Sequence, residues 1–155
     1  MRAVMALSGG MDSTGLLMRL LADGYSVSCL SYNYGQKHSI ELERAKANIA
    51  YLASNGIVVE HRIADLSSAM GIFHSALTTD GYEVPEGHYE EEQMKQTVVP
   101  NRNAIFASIL YGYALSVALR EDTDVVIALG VHSGDHAIYP DCRPKFYEAI
   151  AHAFD

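Results

Sequence analysis

The sequence predicts an α/β fold: a doubly wound parallel sheet in the strand order 3-2-1-4, with a long insertion at about 65–98. Short apolar runs alternate with amphipathic stretches, which implies parallel strands joined by right-handed helical crossovers. The runs end at glycines or polar breaks, as strands do in such sheets. The 155 residues, 49% of them apolar, suffice for one core and argue against two.

The elements follow in order. Ala3-Val4-Met5-Ala6-Leu7 is an all-apolar run stopped by Ser8-Gly9-Gly10, and the glycines favour strand over helix. From Asp12, leucines at 16, 17, 20 and 21 recur at helical spacing until Asp23-Gly24. Ser26 to Tyr32 reads as a second strand, broken at Asn33-Tyr34-Gly35. Leu42, Ala45, Ile49, Leu52 and Ala53 share one face of a helix between Ser39 and Ser54, closed by Asn55-Gly56. Ile57-Val58-Val59 opens a third strand reaching Ile63. A long helix covers about Asn103 to Leu119, with Ile105, Phe106, Ile109, Leu110, Tyr113 and Val117 inward. Val125 to Leu129 has the composition of a fully buried strand, and Pro144 to Phe154 that of a last helix. Residues 65–98 show little periodicity beyond a short helix at Asp65 to Met70; Glu90-Glu91-Glu92 reads as a solvated face.

Eleven Lys and Arg against nineteen Asp and Glu give a formal charge of -8, which disfavours a nucleic-acid surface. Cys29 and Cys142 lie far apart and form neither a disulfide framework nor, by themselves, a zinc site. The opening apolar run is too short for a signal peptide, and no run approaches the roughly 20 apolar residues of a membrane span. The expectation is a reduced, cytoplasmic protein.

In this fold class, ligands bind beyond the carboxyl ends of the strands, where the segments starting at Ser8, Asn33 and Gly130 all lie. Ser8-Gly9-Gly10-Met11-Asp12-Ser13 joins the first strand to the first helix. Gly9 and Gly10 remove Cβ atoms from the path of a close ligand, Ser8 and Ser13 add hydroxyls, and the helix N-terminus adds its positive end. Together they suit a polyphosphate. Asp12 either holds a Mg²⁺ that bridges phosphate oxygens or caps the helix. The segment lacks the lysine of a Walker A loop and is not Gly-x-Gly-x-x-Gly.

Ser-Gly-Gly-x-Asp-Ser resembles the pyrophosphate loop of the N-type ATP pyrophosphatases, whose fold is Rossmann-like, of the adenine nucleotide alpha hydrolase type. Three further segments narrow the resemblance: Ser31-Tyr32-Asn33-Tyr34-Gly35-Gln36-Lys37-His38, Val99-Pro100-Asn101-Arg102-Asn103, and Gly130-Val131 leading to Asp135 and Tyr139-Pro140-Asp141-Cys142-Arg143. In this order they resemble the 7-cyano-7-deazaguanine synthases of queuosine biosynthesis, across essentially the whole chain as one domain. The resemblance implies that ATP adenylates the carboxylate of 7-carboxy-7-deazaguanine, ammonia displaces AMP, and a second ATP activates the amide oxygen so that a nitrile forms. It implies ATP and Mg²⁺ as cofactors and small-molecule partners, with no direct nucleic acid and no membrane. It allows a homodimer.

The resemblance also assigns roles. Leu7, Ser8, Gly9, Gly10, Met11, Asp12, Ser13 and Thr14 hold the nucleotide's phosphates, and Tyr32 flanks adenine. Arg102, Lys37 and Asp135 are the catalytic candidates. Arg102 clamps the substrate carboxylate or the α-phosphate, its alternative being a surface ion pair. Tyr34, His38, Asn103, Tyr139, Asp141 and Arg143 are the substrate-binding candidates, with Asp135 and Asp141 suited to the N–H donors of a guanine-like edge. His132 and His136 have a metal-like spacing, but Gly134 between them argues against a helix. Cys142 is structural or a base contact; Tyr111 and Tyr113 belong to the core.

Departures from the family accompany the match. Asn101 stands where a glycine is common, and Ile138 where another often occurs. Family members continue past the equivalent of Asp155 through another strand and a cysteine-rich zinc module. The expectation for these 155 residues is a sheet without that strand and no zinc ligands; the rivals are another pyrophosphate-loop ligase, a tRNA thiolase, or a non-catalytic nucleotide-binding remnant.

Overall fold

The computed structural model describes residues 1–35, 40–73, 101–130 and 140–155. Strands β1 (Arg2–Ala6), β2 (Ser26–Asn33), β3 (Glu60–Asp65) and β4 (Val125–Ala128) form one parallel sheet in the order β3-β2-β1-β4. The helices are α1 (Met11–Ala22), α2 (Ile40–Ser54), α3 (Ser67–Met70), α4 (Arg102–Glu121) and α5 (Pro144–Phe154), with a 3₁₀ turn at Pro140–Cys142. The predicted strand order holds.

Apolar layers cover both faces of the sheet. Ala3, Met5, Leu7, Val27 and Cys29 face α1 and α2 through Leu17, Leu20, Ala45 and Leu52. Val4, Leu30 and Tyr32 face the other way, onto Met70 of α3 and Leu110, Ala114 and Val117 of α4. β1 is therefore buried on both faces, which explains its unbroken apolar run. The low-dielectric core pushes the Cys29 thiol up to about 12, so this cysteine is an inert apolar side chain.

Three expectations change. Strand β3 begins at Glu60, not Ile57, because the end of α2 uses the intervening residues. Gly56, at φ +79°, donates its N–H to Ala53, and Ile57 donates to Leu52, a Schellman closure that leaves Val58 87% exposed. Strand β4 is not fully buried: it lies at the sheet edge, and Val126 is 48% exposed while Val125 and Ile127 pack on the α4 side. Helix α4 is long and apolar enough, by length and composition, to cross a membrane. Here its apolar face lies on the sheet. Tyr113 is half-buried there, and Tyr111 instead stacks on Phe154 of α5 at 4.2 Å between ring centres.

Candidate nucleotide-binding site

The corner between β1 and α1 is built from its own hydroxyls and amides. The Ser8 N–H donates to Ser13 Oγ at 3.0 Å, and the Gly10 N–H donates to Ser8 Oγ at 3.2 Å. The two hydroxyl oxygens stand 2.9 Å apart. Since Ser13 Oγ already accepts the Ser8 amide, its own proton can go to Ser8 Oγ, which frees the Ser8 proton for a ligand. Gly10 caps α1 without any side-chain bond, so the first-turn N–H groups of the helix have no intrahelical acceptor. This is the arrangement of an anion site.

Gly9 also has a packing role that the sequence does not show. Gly9 sits at φ +83°, and a Cβ there would stand 2.2 Å from the Glu41 carbonyl and 3.0 Å from the Ala45 nitrogen. A Cβ on Gly10 would meet Ser8 Oγ at 3.3 Å. Gly9 thus admits the start of α2 close against the loop.

Residues from all three ligand-proximal segments share one cavity of about 340 Å³ beyond the strand ends. Leu7, Ser8 and Ser13 wall one side; Tyr32 and Tyr34 the second; Arg102 and Asn103 the third, with Leu129 and Gly130 behind. The Arg102 guanidinium lies 5.9 Å from the Tyr34 ring centre. Burial pushes the Tyr34 phenol up, opposed by Arg102 and reinforced by Glu41, so it stays neutral.

Other candidates have structural commitments. Tyr32 stacks on Phe106 at 3.9 Å and donates its hydroxyl proton to the Phe106 carbonyl, so one ring face is already covered. Burial raises its phenol strongly. The Thr14 hydroxyl accepts the Asn48 amide at 3.2 Å, which ties α1 to α2. Asp141, expected at the edge of a base, turns Oδ2 to the N–H groups of Asn103 at 2.7 Å and Ala104 at 3.3 Å. Asn103 in turn donates Nδ2–H to Cys142 Sγ at 2.9 Å. Arg143 is the N-cap of α5, exposed and outside the cavity wall. Met11 and Asp12 are exposed at the start of α1. Lys37, His38, Asp135, Tyr139, His132, His136 and Ile138 lie outside the described residues.

Sequence reasoning missed Phe106, Glu41 and Tyr147, which also line the cavity. Phe106 had a signal: it stands one helical turn after Arg102 and so shares its face. Tyr147 is pushed up to about 12 by burial, then by Cys142 and Asp141, against Arg102 and Asn103. Among the described residues no group of three or more His, Cys, Asp or Glu could hold a metal ion.

Comparison with known proteins shows the fold and the family. Two solved structures share the fold: an NH3-dependent NAD synthetase from Campylobacter jejuni (TM-score 0.53, 19% identity, 86% of this chain and 48% of that one) and a predicted tRNA methyltransferase subunit from Methanocaldococcus jannaschii (TM-score 0.53, 14% identity, 99% and 64%). Sequence relatives are much nearer. The chain is 48% identical over 153 residues to a 7-cyano-7-deazaguanine synthase of Caldicellulosiruptor bescii, covering 99% of this chain and 65% of the relative. It is 47% identical over 152 residues to the synthase of Hahella chejuensis, covering 98% and 62%. It therefore spans a little under two thirds of the length of these relatives. The family model described as queuosine biosynthesis protein QueC matches residues 2–155, so the serine-lined corner, the Arg102 helix start and the Asp141 turn together belong to a member of the QueC family.

Proposed function

We propose that the corner at Ser8–Ser13 binds the β and γ phosphates of ATP and that the adjoining cavity performs the chemistry of a 7-cyano-7-deazaguanine synthase. The observation that carries this is the convergence of the loop, Arg102 and Asn103 on one cavity, in a chain 48% identical to such a synthase. The first-turn amides of α1 and the Ser8 hydroxyl face the departing pyrophosphate, whose charge grows as the bond to the α-phosphorus breaks. Arg102, held against Tyr34, reaches the substrate carboxylate or the α-phosphate with a planar fork suited to either. The sequence is adenylation with loss of pyrophosphate, displacement of AMP by ammonia to give the amide, and a second adenylation at the amide oxygen. Loss of AMP and of the amide protons then leaves the nitrile.

A Mg²⁺ fits as a partner of the nucleotide rather than as a resident ion. The chain offers Asp12 at the loop, and Mg²⁺ commonly takes one or two carboxylates with phosphates and water as its other ligands. When bound, it neutralises phosphate charge.

The test is product analysis. ATP, the deazaguanine acid and ammonia together should yield AMP and pyrophosphate in equal amounts, with the nitrile identified by mass. Release of ADP and orthophosphate instead would overturn the proposal.

A further inference from the structure

Behind the phosphate corner, on the face of the sheet away from Arg102, two residues outside the cavity wall form a hydrogen-bonded chain that ends on the loop's first peptide. Ser31 of β2 is 1% exposed and donates its hydroxyl proton to the Leu7 carbonyl at 2.5 Å. His61 of the neighbouring strand β3 places Nε2 at 2.7 Å from the same hydroxyl oxygen. A carbonyl only accepts, so the Ser31 proton belongs to Leu7 and the oxygen must accept from His61. That fixes the histidine as the Nε2–H tautomer. Burial, with Lys46 nearby, holds its ring below the usual histidine range, so it is neutral at neutral pH.

The consequence passes through one rigid plane. The Leu7 carbonyl and the Ser8 N–H belong to the same planar peptide, so holding one aims the other. The Ser8 N–H is the group that donates to Ser13 Oγ, which meets Ser8 Oγ. A continuous series thus runs from His61 through Ser31 and the Leu7–Ser8 peptide into the two hydroxyls at the phosphate corner.

We propose that Ser31 and His61 are positioning residues for the phosphate loop: they set the orientation of the Leu7–Ser8 peptide and, through its bond to Ser13, the Ser8 hydroxyl that meets the nucleotide. The inference rests on reading that corner as the triphosphate site, although the aim of the peptide can be measured without ligand.

Four proteins decide it: the native chain, Ser31→Ala, His61→Leu, and His61→Gln, whose side-chain amide keeps a donor. Nitrogen-15 NMR of the native imidazole should show the Nε2–H tautomer; the Nδ1–H form overturns the donor series outright. Amide exchange at Ser8 should quicken about tenfold in Ser31→Ala and His61→Leu and return toward the native rate in His61→Gln. Equal exchange in all four overturns the proposal, and the His61 pair decides it even if Ser31→Ala fails to fold. Calorimetry with a non-hydrolysable ATP analogue should show about tenfold weaker binding in the first two variants, with His61→Gln near native. Native chain that binds the analogue no better than an unrelated protein refutes the phosphate reading, while the exchange rates still judge the positioning role. Native-like affinity in every variant refutes the positioning role alone.

Discussion

The carboxylate of Asp141 reaches across 38 residues of sequence to accept the main-chain N–H of Asn103 at 2.7 Å, and so caps a helix to which it does not belong. Helix α4 needs this. Its own N-cap residue, Asn101, is left-handed at φ 59° and makes no side-chain cap bond. The helix start that carries Arg102 is therefore held by the turn at Pro140–Cys142, and two segments the sequence reading gave separate substrate roles act as one unit.

Asp141→Ala should cost about 1 kcal/mol, the usual loss for an N-cap, and lower the melting temperature by about 2–4 °C. Asp141→Asn keeps an acceptor oxygen and should recover part of this. Unchanged melting together with lost affinity for the deazaguanine acid would mean that Asp141 touches substrate instead.

The glycines divide into three classes that thermal unfolding can separate. Gly9→Ala combines a left-handed backbone with a Cβ placed 2.2 Å from the Glu41 carbonyl. Gly24→Ala has the left-handed backbone, φ +89°, but open space around the new atom. The second should lose about 1–2 kcal/mol, and the first clearly more, because α2 must move. Gly15→Ala and Gly112→Ala, inside α1 and α4 with nothing within 4 Å of the new Cβ, should each gain about 0.5–1 kcal/mol. A Gly9→Ala protein as stable as Gly24→Ala would mean that the loop and α2 do not meet.

The parts of this molecule legible in the sequence are those fixed by local pattern. β1 reads correctly because both its faces are buried, and α5 because Pro144 supplies its first turn and its apolar spacing is regular. The corner between β1 and α1 reads correctly as strand, loop and helix because strand, glycines and helix stand in sequence. What the sequence leaves hidden depends on partners far along the chain. Nothing near Gly9 announces that α2 will press on it, and nothing near Asp141 announces the bare N-terminus of α4. Val126 looks like a core residue until the strand order puts it at an edge. Ser31 is one of three serines in β2, with nothing local to mark it out, and only the pairing of β2 with β3 brings His61 to it.

The two loop hydroxyls should be separable by binding. Ser8→Ala removes the hydroxyl free to meet phosphate, and a hydrogen bond to a charged group contributes about 1.5–3 kcal/mol, so analogue affinity should fall by at least about tenfold. Ser13→Ala removes the acceptor of the Ser8 N–H inside a buried site and should lower both affinity and melting temperature. Calorimetry beside thermal unfolding reads both. Equal loss of stability in the two variants would place both hydroxyls in structure rather than recognition.

At the opposite end of the sheet, Glu60 ties three elements together, and its titration gives a test independent of any ligand. Its carboxylate accepts Tyr113 Oη at 2.9 Å, Arg120 at 3.1 Å and Ser28 Oγ at 3.2 Å, and lies 3.6 Å from Arg2. Burial pushes this carboxyl up, but the Tyr113 and Ser28 hydroxyls and Arg120 outweigh it, so Glu60 titrates below its ordinary value of 4.5. A carboxyl depressed in the folded state contributes stability that is fully present above the unfolded value and is lost as pH falls through the folded one. Stability measured by urea unfolding should thus fall below about pH 4.5 with a contribution from this site. Glu60→Gln should lower stability at neutral pH and make the acid decline shallower, since the glutamine does not titrate. An acid decline of unchanged slope would show that the Glu60 cluster contributes nothing to the pH dependence.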